Sequence, residues 1–307
     1  MIRELNEADV GDFKSLLQRY IEHIGDTDFT VCQLEEGIRT GIKSESRYVI
    51  GAYNTAFEPL GLLNYNPQIH RLSLFFANLN FAAERELFDR FFDIFSLDSP
   101  MIAFESGYPT PWISSEFSEY VIKSGFKKHD RRFMSLNRPE SLACPLLPEG
   151  YHITPFSETD IEEVTRTVFK SVDGSADQEL FPYVYGSFDS TLRFHQRVSA
   201  GDFGIHKPTY SWILKFGDDC IGACFMTTSE DHIGHVMHLA ITPEFRRSGL
   251  GKSLLLHALK NLFKIEPDLK EIDLAVTLSN PARYLYESIG FKRVNDMSTY
   301  VWKNRDL

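Results

Sequence analysis

The sequence predicts an α/β protein, a mixed sheet flanked by helices, built as two tandem copies of one plan. Three observations predict it. A buried-type strand, a basic glycine-bearing turn and an apolar-striped helix run consecutively from Gly234 to Phe263. Each half opens with a short strand and a helix, continues with a hairpin-like pair, and closes with Gly-Phe and a further strand. The intervals Gly61 to Gly125 and Gly222 to Gly290 differ by only a few residues, so a repeated domain is the economical explanation.

In the first half, IRELNEADVGDFKSLLQRYI reads as a strand and then a helix. Its Val10, Phe13, Leu16, Leu17, Tyr20 and Ile21 recur at helical spacing. Tyr48 to Tyr53 and Leu60 to Tyr65 form the hairpin, and Gly125-Phe126 leads into the strand Arg132 to Leu136. The stretch 137–150, NRPESLACPLLPEG, carries three prolines and no periodicity, and reads as a linker. The expected division is therefore a domain at 1–137, a linker at 138–150 and a domain at 151–307.

The second half opens with HITPFSETDIEEVTRTVFKSV, where Ile161, Val164, Val168 and Phe169 play the same part. From Val172 to Gln196, Asp173, Asp177, Glu179 and Asp189 alternate with Phe181, Tyr183, Tyr185 and Phe188. Such a set could hold an ammonium group against aromatic faces. Its plainer reading is a solvated, mobile loop. Ser211 to Phe216 and Cys220 to Met226 then form the second hairpin.

A chain of 307 residues suits two ordinary domains. The formal charge of −11 disfavours nucleic acid, whose phosphates need an excess of Lys and Arg. It mildly favours a cationic acceptor. No apolar run reaches the length of a membrane span, and the charged N-terminus lacks an apolar signal core. Cys32, Cys144, Cys220 and Cys224 have no metal-site spacing, so no metal is expected. Cys220 and Cys224, four apart in one strand, are expected to face the same way as buried thiols. A cytoplasmic setting fits all of this.

The stretch Gly234 to Ser253, GHVMHLAITPEFRRSGLGKS, carries the chemistry. Pro243 ends the strand because it has no N–H for a ladder. Arg246, Arg247, Ser248, Gly249, Leu250 and Gly251 make the turn, and the helix begins near Lys252. Unpaired amides and the helix dipole at such a junction suit a diphosphate, and the glycines allow close approach. A Walker A loop would need a glycine where Arg246 stands, and a dinucleotide fingerprint one where Leu254 stands. Both are excluded. In the first half the corresponding place falls on Phe81, in FAAERELFDRFF, which has no glycine and places Glu84, Glu86 and Asp89 in the incipient helix. Carboxylates there would repel a diphosphate.

The second motif is NPARYLYESIGF, Asn280 to Phe291, whose Asn-Pro opening suits a helix start. The R-x-x-G-x-G at Arg246 and this block together resemble the coenzyme A loop and the last conserved block of the GCN5-related N-acetyltransferases, the GNAT superfamily. Asn280, Ala282, Leu285, Tyr286, Gly290 and Phe291 match the block. Ala282 follows Asn280 by two residues rather than three, which leaves the register of Asn280 open by one. The likeness covers about residues 150–303, and over 1–137 it rests on layout.

The resemblance implies two tandem GNAT-type domains, the first a degenerate copy without a coenzyme loop. It implies acetyl-CoA as co-substrate, held by Leu239, Ala240 and Ile241 of the strand, by Arg246, Arg247, Ser248, Gly249, Leu250, Gly251 and Lys252, and by Asn280 at the pantetheine arm. It implies Tyr286 as the acid that protonates the departing thiolate, although Tyr286 also fits the core stripe Ala282, Leu285, Ile289. Freeing a lysine-like amine at pH 7 costs about 4–5 kcal/mol, so a base is expected. His235 stands where relatives carry a basic Glu or His, and a structural strand histidine is its other reading. His238 is second to it, since alternation should send it to the opposite face. A main-chain N–H of Ala240 or Ile241 is the expected donor to the developing oxyanion. The expected activity is acetyl transfer to the primary amine of a small molecule, less readily of a protein, by a monomer or homodimer without nucleic acid or membrane. The other reading is a non-catalytic acyl-CoA sensor.

Overall fold

The computed structural model describes residues 1–24, 30–107, 110, 112–143 and 145–304, so Cys144 lies outside the described residues. The first half runs β1 (Ile2–Glu4), α1 (Lys14–Ile24), α2 (Val31–Lys43), β2 (Tyr48–Tyr53), β3 (Pro59–Asn66), β4 (Arg71–Phe76), α3 (Phe81–Phe95), β5 (Met101–Gly107), α4 (Ser115–Lys123) and β6 (Lys127–Asn137). The second runs β7 (Tyr151–Pro155), α5 (Ile161–Val172), α6 (Ala176–Leu180), α7 (Pro182–Tyr185), α8 (Phe188–Ser199), β8 (Trp212–Phe216), β9 (Asp219–Thr228), β10 (Ile233–Ile241), α9 (Leu250–Ile265), β11 (Glu271–Thr277), α10 (Ala282–Ile289) and β12 (Lys292–Lys303).

Two compact units result, Met1–Arg131 with Asn295–Leu307, and Arg132–Val294. The first has the strand order β1-β2-β3-β4-β5-β12 and the second β6-β11-β10-β9-β8-β7. The repeat is visible in the pairing. Antiparallel contacts join β1 to β2, β2 to β3 and β3 to β4, then β4 meets β5 in parallel. In the second unit β7, β8, β9 and β10 pair antiparallel in turn, and β10 meets β11 in parallel.

The unit boundaries differ from the division read in the sequence. Met297 to Lys303 of β12 pair antiparallel with Gly107 to Met101 of β5, and Tyr300 stacks on Phe104 at 4.8 Å. That burial carries the C-terminal strand into the first unit. Met134 and Leu136 of β6 conversely join the core beneath α9 in the second. The stretch read as a linker has no helix or strand among its described residues, yet its start is anchored. Arg138 donates from its backbone N–H to Lys270 O at 2.9 Å and from its guanidinium to the carbonyls of Phe263, Glu266 and Leu269.

The second unit has a core on each face of its sheet. Leu254, Leu255, Ala258, Leu259 and Leu262 of α9 are wholly buried against Ile272, Leu274 and Val276. Each such leucine contributes about 1.5–3 kcal/mol. The helix stops at Glu266, the residue before Pro267, where the proline ring disfavours helical geometry. On the other face Val164 and Val168 of α5 and Val198 of α8 pack on Ile213, Ala223 and Phe225. The stretch 172–196 is therefore helical over most of its length, not a mobile loop. Serine caps start α6 and α8, and α8 buries Thr191, His195 and Val198 on one face. Cys220 and Cys224 face opposite ways, because a register shift between Leu214 and Lys215 turns Cys220 toward Thr167 while Cys224 packs beneath α9. Among the described residues no helix is long and apolar enough to cross a membrane, and no group of three or more His, Cys, Asp and Glu could hold a metal.

Candidate active site

The junction of β10 and α9 is built from backbone geometry. The last sheet bond runs from Thr242 N to Ile221 O at 2.9 Å, and a short turn at Pro243–Phe245 follows. Arg247 has φ +62° and Gly249 φ +82°, so two left-handed residues bracket Ser248. Alternation of this kind turns successive amides to one side and makes an anion-binding concavity. Gly249 caps α9 with no side-chain bond, and open space surrounds the position of its absent Cβ. The first bond inside the helix is Ser253 N to Gly249 O, leaving the N–H groups of Leu250, Gly251 and Lys252 without intrahelical partners. The helix dipole adds about half a positive charge there.

Two of the expected cations have structural duties. Arg246 donates from Nε to Ile241 O at 2.9 Å and from Nη2 to Ser171 O at 2.5 Å, which ties the loop to β10 and to the end of α5. Lys252 Nζ reaches Ser288 Oγ at 3.1 Å, at the end of α10. Arg247 and Ser248 are exposed.

Beside this cradle the sheet opens. The β10–β11 register runs from Ile233↔Glu271 to His235↔Asp273, although β10 continues to Ile241 and β11 to Thr277. Antiparallel pairs alternate between bonded and non-bonded residues. Since Thr242 bonds to β9, Ala240 opposite Ala223 does so too, and Leu239 and Ile241 turn their N–H and C=O toward the β11 side. The Arg246 bond to Ile241 O agrees with this. The free donors at the opening are thus Leu239 and Ile241, and the amide of Ala240, expected as a donor, is committed to β9.

A bulge at Met237 decides which side chains face where. Gly234 fits against Leu262, Leu269 and Ile272, while Val236, Leu239 and Ile241 pack beneath α9. Met237, His238 and Ala240 turn to the α5 and α8 face. His235, the neighbour of Gly234, shares that face with Asp273, its Nδ1 at 2.5 Å from Asp273 Oδ1. His238 is therefore not sent to the opposite face, as simple alternation predicted. It lies buried beside Tyr185, whose hydroxyl is 3.1 Å from His238 Nδ1.

Tyr286 projects from α10 into the core beneath α9, where it is 7% exposed. Burial first, then the neighbouring Cys224 and Asp177, push its phenol well above the ordinary range. Its hydroxyl has no hydrogen-bond partner among the described residues. Asn280 is drawn toward α6: its Oδ1 accepts from Ala282 N at 2.9 Å, starting α10, and its Nδ2 is 3.5 Å from Asp177 Oδ2. Asp177 also accepts from Thr277 Oγ1 at 3.0 Å. Asp273 escaped sequence reasoning, although an acidic residue inside KEIDLAVT, in a strand otherwise of core type, was a usable signal.

The first unit seals the corresponding corner. At the start of α3, Asn80 Oδ1 accepts from Ala83 N at 3.2 Å. Glu84, 1% exposed, accepts from Ser114 N at 2.8 Å and from the Ser114 hydroxyl. A buried carboxylate stands where the second unit has bare amides.

A protein-family model described as an acetyltransferase (GNAT) domain matches residues 207–293. Over 74 residues the chain is 38% identical to an N-alpha-acetyltransferase of Saccharolobus solfataricus, a stretch covering 24% of this chain and 44% of that protein. It is 35% identical to an N-alpha-acetyltransferase of Sulfurisphaera tokodaii over 74 residues, with the same 24% and 44% covered. The chain thus spans less than half the length of these curated relatives. Among solved structures, a GCN5-related N-acetyltransferase from Sphaerobacter thermophilus is similar with a TM-score of 0.66 and 15% identity, over 99% of this chain and 95% of that one. A tandem GNAT protein from the clavulanic acid biosynthesis pathway is similar with a TM-score of 0.57 and 12% identity, over 99% and 98%. At these identities the two structures establish the fold.

Proposed function

We propose that this chain, whose residues 207–293 match a GNAT acetyltransferase domain model, is an acetyl-CoA-dependent N-acetyltransferase acting on a primary amine by direct attack. The observation that carries this reading is the cradle of amides from Arg247 to Lys252 beside the open β10–β11 edge. The residues fit the coenzyme. A left-handed glycine with open space around it, a helix start without a side-chain cap and the exposed Arg247 suit its diphosphate. Leu239 and Ile241 suit the amide-bearing arm. Bound there, the coenzyme would supply an acetyl group already activated as a thioester.

The chain's own groups supply the rest of the reaction. His235, held by Asp273, takes a proton from the amine, directly or through water. Leu239 N–H is the donor to negative charge building on the acetyl oxygen, a type of contact worth about 10²–10³ in rate. Tyr286, kept protonated by burial, gives its hydroxyl proton to the leaving sulfur. In this reading the first unit is a degenerate copy that binds no coenzyme, and the protein works in the cytoplasm. The acceptor is a small amine. The name of the archaeal relatives favours a second reading, the α-amine of a peptide.

Coenzyme A release measured with a panel of small primary amines and short peptides with free α-amines tests both. Gly249→Asp sharpens the test. Asp tolerates left-handed geometry, so the fold should survive while the carboxylate repels the diphosphate. Acetyl-CoA affinity should fall by roughly 100-fold, about 2.7 kcal/mol. Tight acetyl-CoA binding without turnover on any amine would favour a sensor instead.

A further inference from the structure

Asp177 is one of four acidic residues between Val172 and Gln196 that the reaction just derived does not use. Asp173 and Asp189 are exposed, whereas Asp177 of α6 reaches the turn between β11 and α10. Its Oδ1 accepts from Thr277 Oγ1 at 3.0 Å, and its Oδ2 lies 3.5 Å from Asn280 Nδ2. Thr277 ends β11, well beyond Asp273, where the β10–β11 register stops. Thr277 and Asn280 thus stand on one bank of the opening, and Leu239 and Ile241 of β10 on the other.

The hydrogen positions follow from the donors available. A carboxylate only accepts, so the Thr277 hydroxyl hydrogen is spent on Asp177. The Asn280 carbonyl oxygen accepts from Ala282 N at 2.9 Å and starts α10. Turning that amide over would lose this bond and set its oxygen against a carboxylate. Nδ2 therefore faces Asp177, and one of its two hydrogens points there. The other has no partner among the described residues, so an N–H is what Asn280 still has to offer. Carbonyl groups of an amide-bearing arm are acceptors and suit it. At the other end of the contact, α6 is only five residues long, so its own backbone bonds hold it weakly.

We propose that Asp177 is a positioning residue for the coenzyme arm: it sets the Asn280 side chain so that the free N–H meets an arm carbonyl, and it passes that contact on to α6. This rests on the N-acetyltransferase reading for its ligand. Coupling of this kind is reciprocal. A coenzyme that holds Asn280 steadies α6 through Asp177, and a steady α6 in turn favours the coenzyme. Both Asp177 oxygens are turned to the β11–α10 turn, which argues for this use over an anchor for an ammonium group, the use suggested by its place among aromatic residues in the sequence.

The test compares two ligands on the full chain, acetyl-CoA and 3′-phospho-ADP, which is the same nucleotide diphosphate without the arm. Titrations followed by amide NMR shifts cover weak and tight binding alike. Asp177→Ala should weaken acetyl-CoA about tenfold, the scale of a typical hydrogen bond, and leave 3′-phospho-ADP within about twofold. Asp177→Asn, whose carbonyl oxygen can still accept from Asn280, should recover much of the loss. In an Asn280→Ala background Asp177→Ala should add little, because the two act as one unit. Hydrogen exchange over α6 should slow when acetyl-CoA binds the native chain, and not when 3′-phospho-ADP does. Equal losses for the two ligands, fully additive effects of Asp177→Ala and Asn280→Ala, or an unchanged acetyl-CoA affinity in Asp177→Ala would overturn the role of Asp177 and leave the acetyltransferase reading standing. The expected affinities in a chain that acetylates no amine would instead overturn the activity and leave the role of Asp177 standing. A native chain that binds neither ligand would overturn both.

Discussion

His235 Nδ1 and Asp273 Oδ1 lie 2.5 Å apart at the last rung of the β10–β11 ladder. A carboxylate only accepts, so Nδ1 carries the hydrogen and Nε2 is left with its lone pair. The foot of the β4–β5 pair in the first unit holds Arg71 and Glu105 instead, at 2.8 Å. A guanidinium cannot serve as a base. In the proposed reading the two units thus diverge at the position of the base as well as at the coenzyme cradle.

Asp273→Asn removes the group that selects this tautomer. Under the proposed role of His235, kcat should fall about 10²-fold, within the range of general-base effects, with acetyl-CoA affinity unchanged. His235→Ala should cost about as much, and the double variant little more, because the two act as one unit. Strictly multiplicative losses would separate Asp273 from the base.

Tyr286 gives a cleaner test than most buried tyrosines. Its hydroxyl has no partner to lose among the described residues, so Tyr286→Phe should leave thermal stability within about 0.5 kcal/mol. Turnover should drop about 10²-fold or more while acetyl-CoA still binds. Tyr286→Ala would confuse the result, since emptying that part of the core costs about 3–5 kcal/mol. An unchanged kcat in the phenylalanine variant would remove Tyr286 from proton transfer.

Stability should depend on pH through the buried histidines. Above about pH 6.5 the rings are largely neutral in both folded and unfolded chains, and no penalty arises. As pH falls, the unfolded chain binds protons that the folded chain refuses, so stability declines until His238 protonates in place near pH 4. His238 alone accounts for about 3 kcal/mol of that loss, and His195 adds to it in the same direction. Urea midpoints between pH 4 and 7 would measure the slope. His238→Gln should flatten it, and a slope indifferent to that change would assign the acid sensitivity elsewhere.

Much of this architecture is legible in the chain because burial writes a period. Leu254, Leu255, Ala258, Leu259 and Leu262 announce α9, and Gly249, whose left-handed φ favours glycine, marks the junction before it. The helices of 172–196 were obscured for a physical reason. α8 buries Thr191 and His195 along with Val198, so its inner face does not read as apolar. His238 was misassigned because a bulge adds one residue to the strand and reverses the alternation after it. A bulge leaves no composition signal here. The strand exchange between halves was equally hidden, since β12 has the same pattern whichever sheet it joins.

That exchange makes the last prediction. Residues 297–303 of β12 complete the sheet against β5, Tyr300 stacks on Phe104, and Trp302 packs edge-on to Phe92 at 5.0 Å. A chain ending at Val294 would leave β5 an open edge and its aromatic core uncovered on one side. Hydrogen exchange should therefore accelerate in β5, α3 and α4, while α9 and β9 keep their protection. Tyr300→Ala is a milder version, expected to cost about 3–5 kcal/mol, with the loss again read out in the first unit. If the domain were self-contained from 151 to 307, as the linear sequence suggests, the damage would fall on α9 and β11 instead, and the two patterns are distinguishable peptide by peptide.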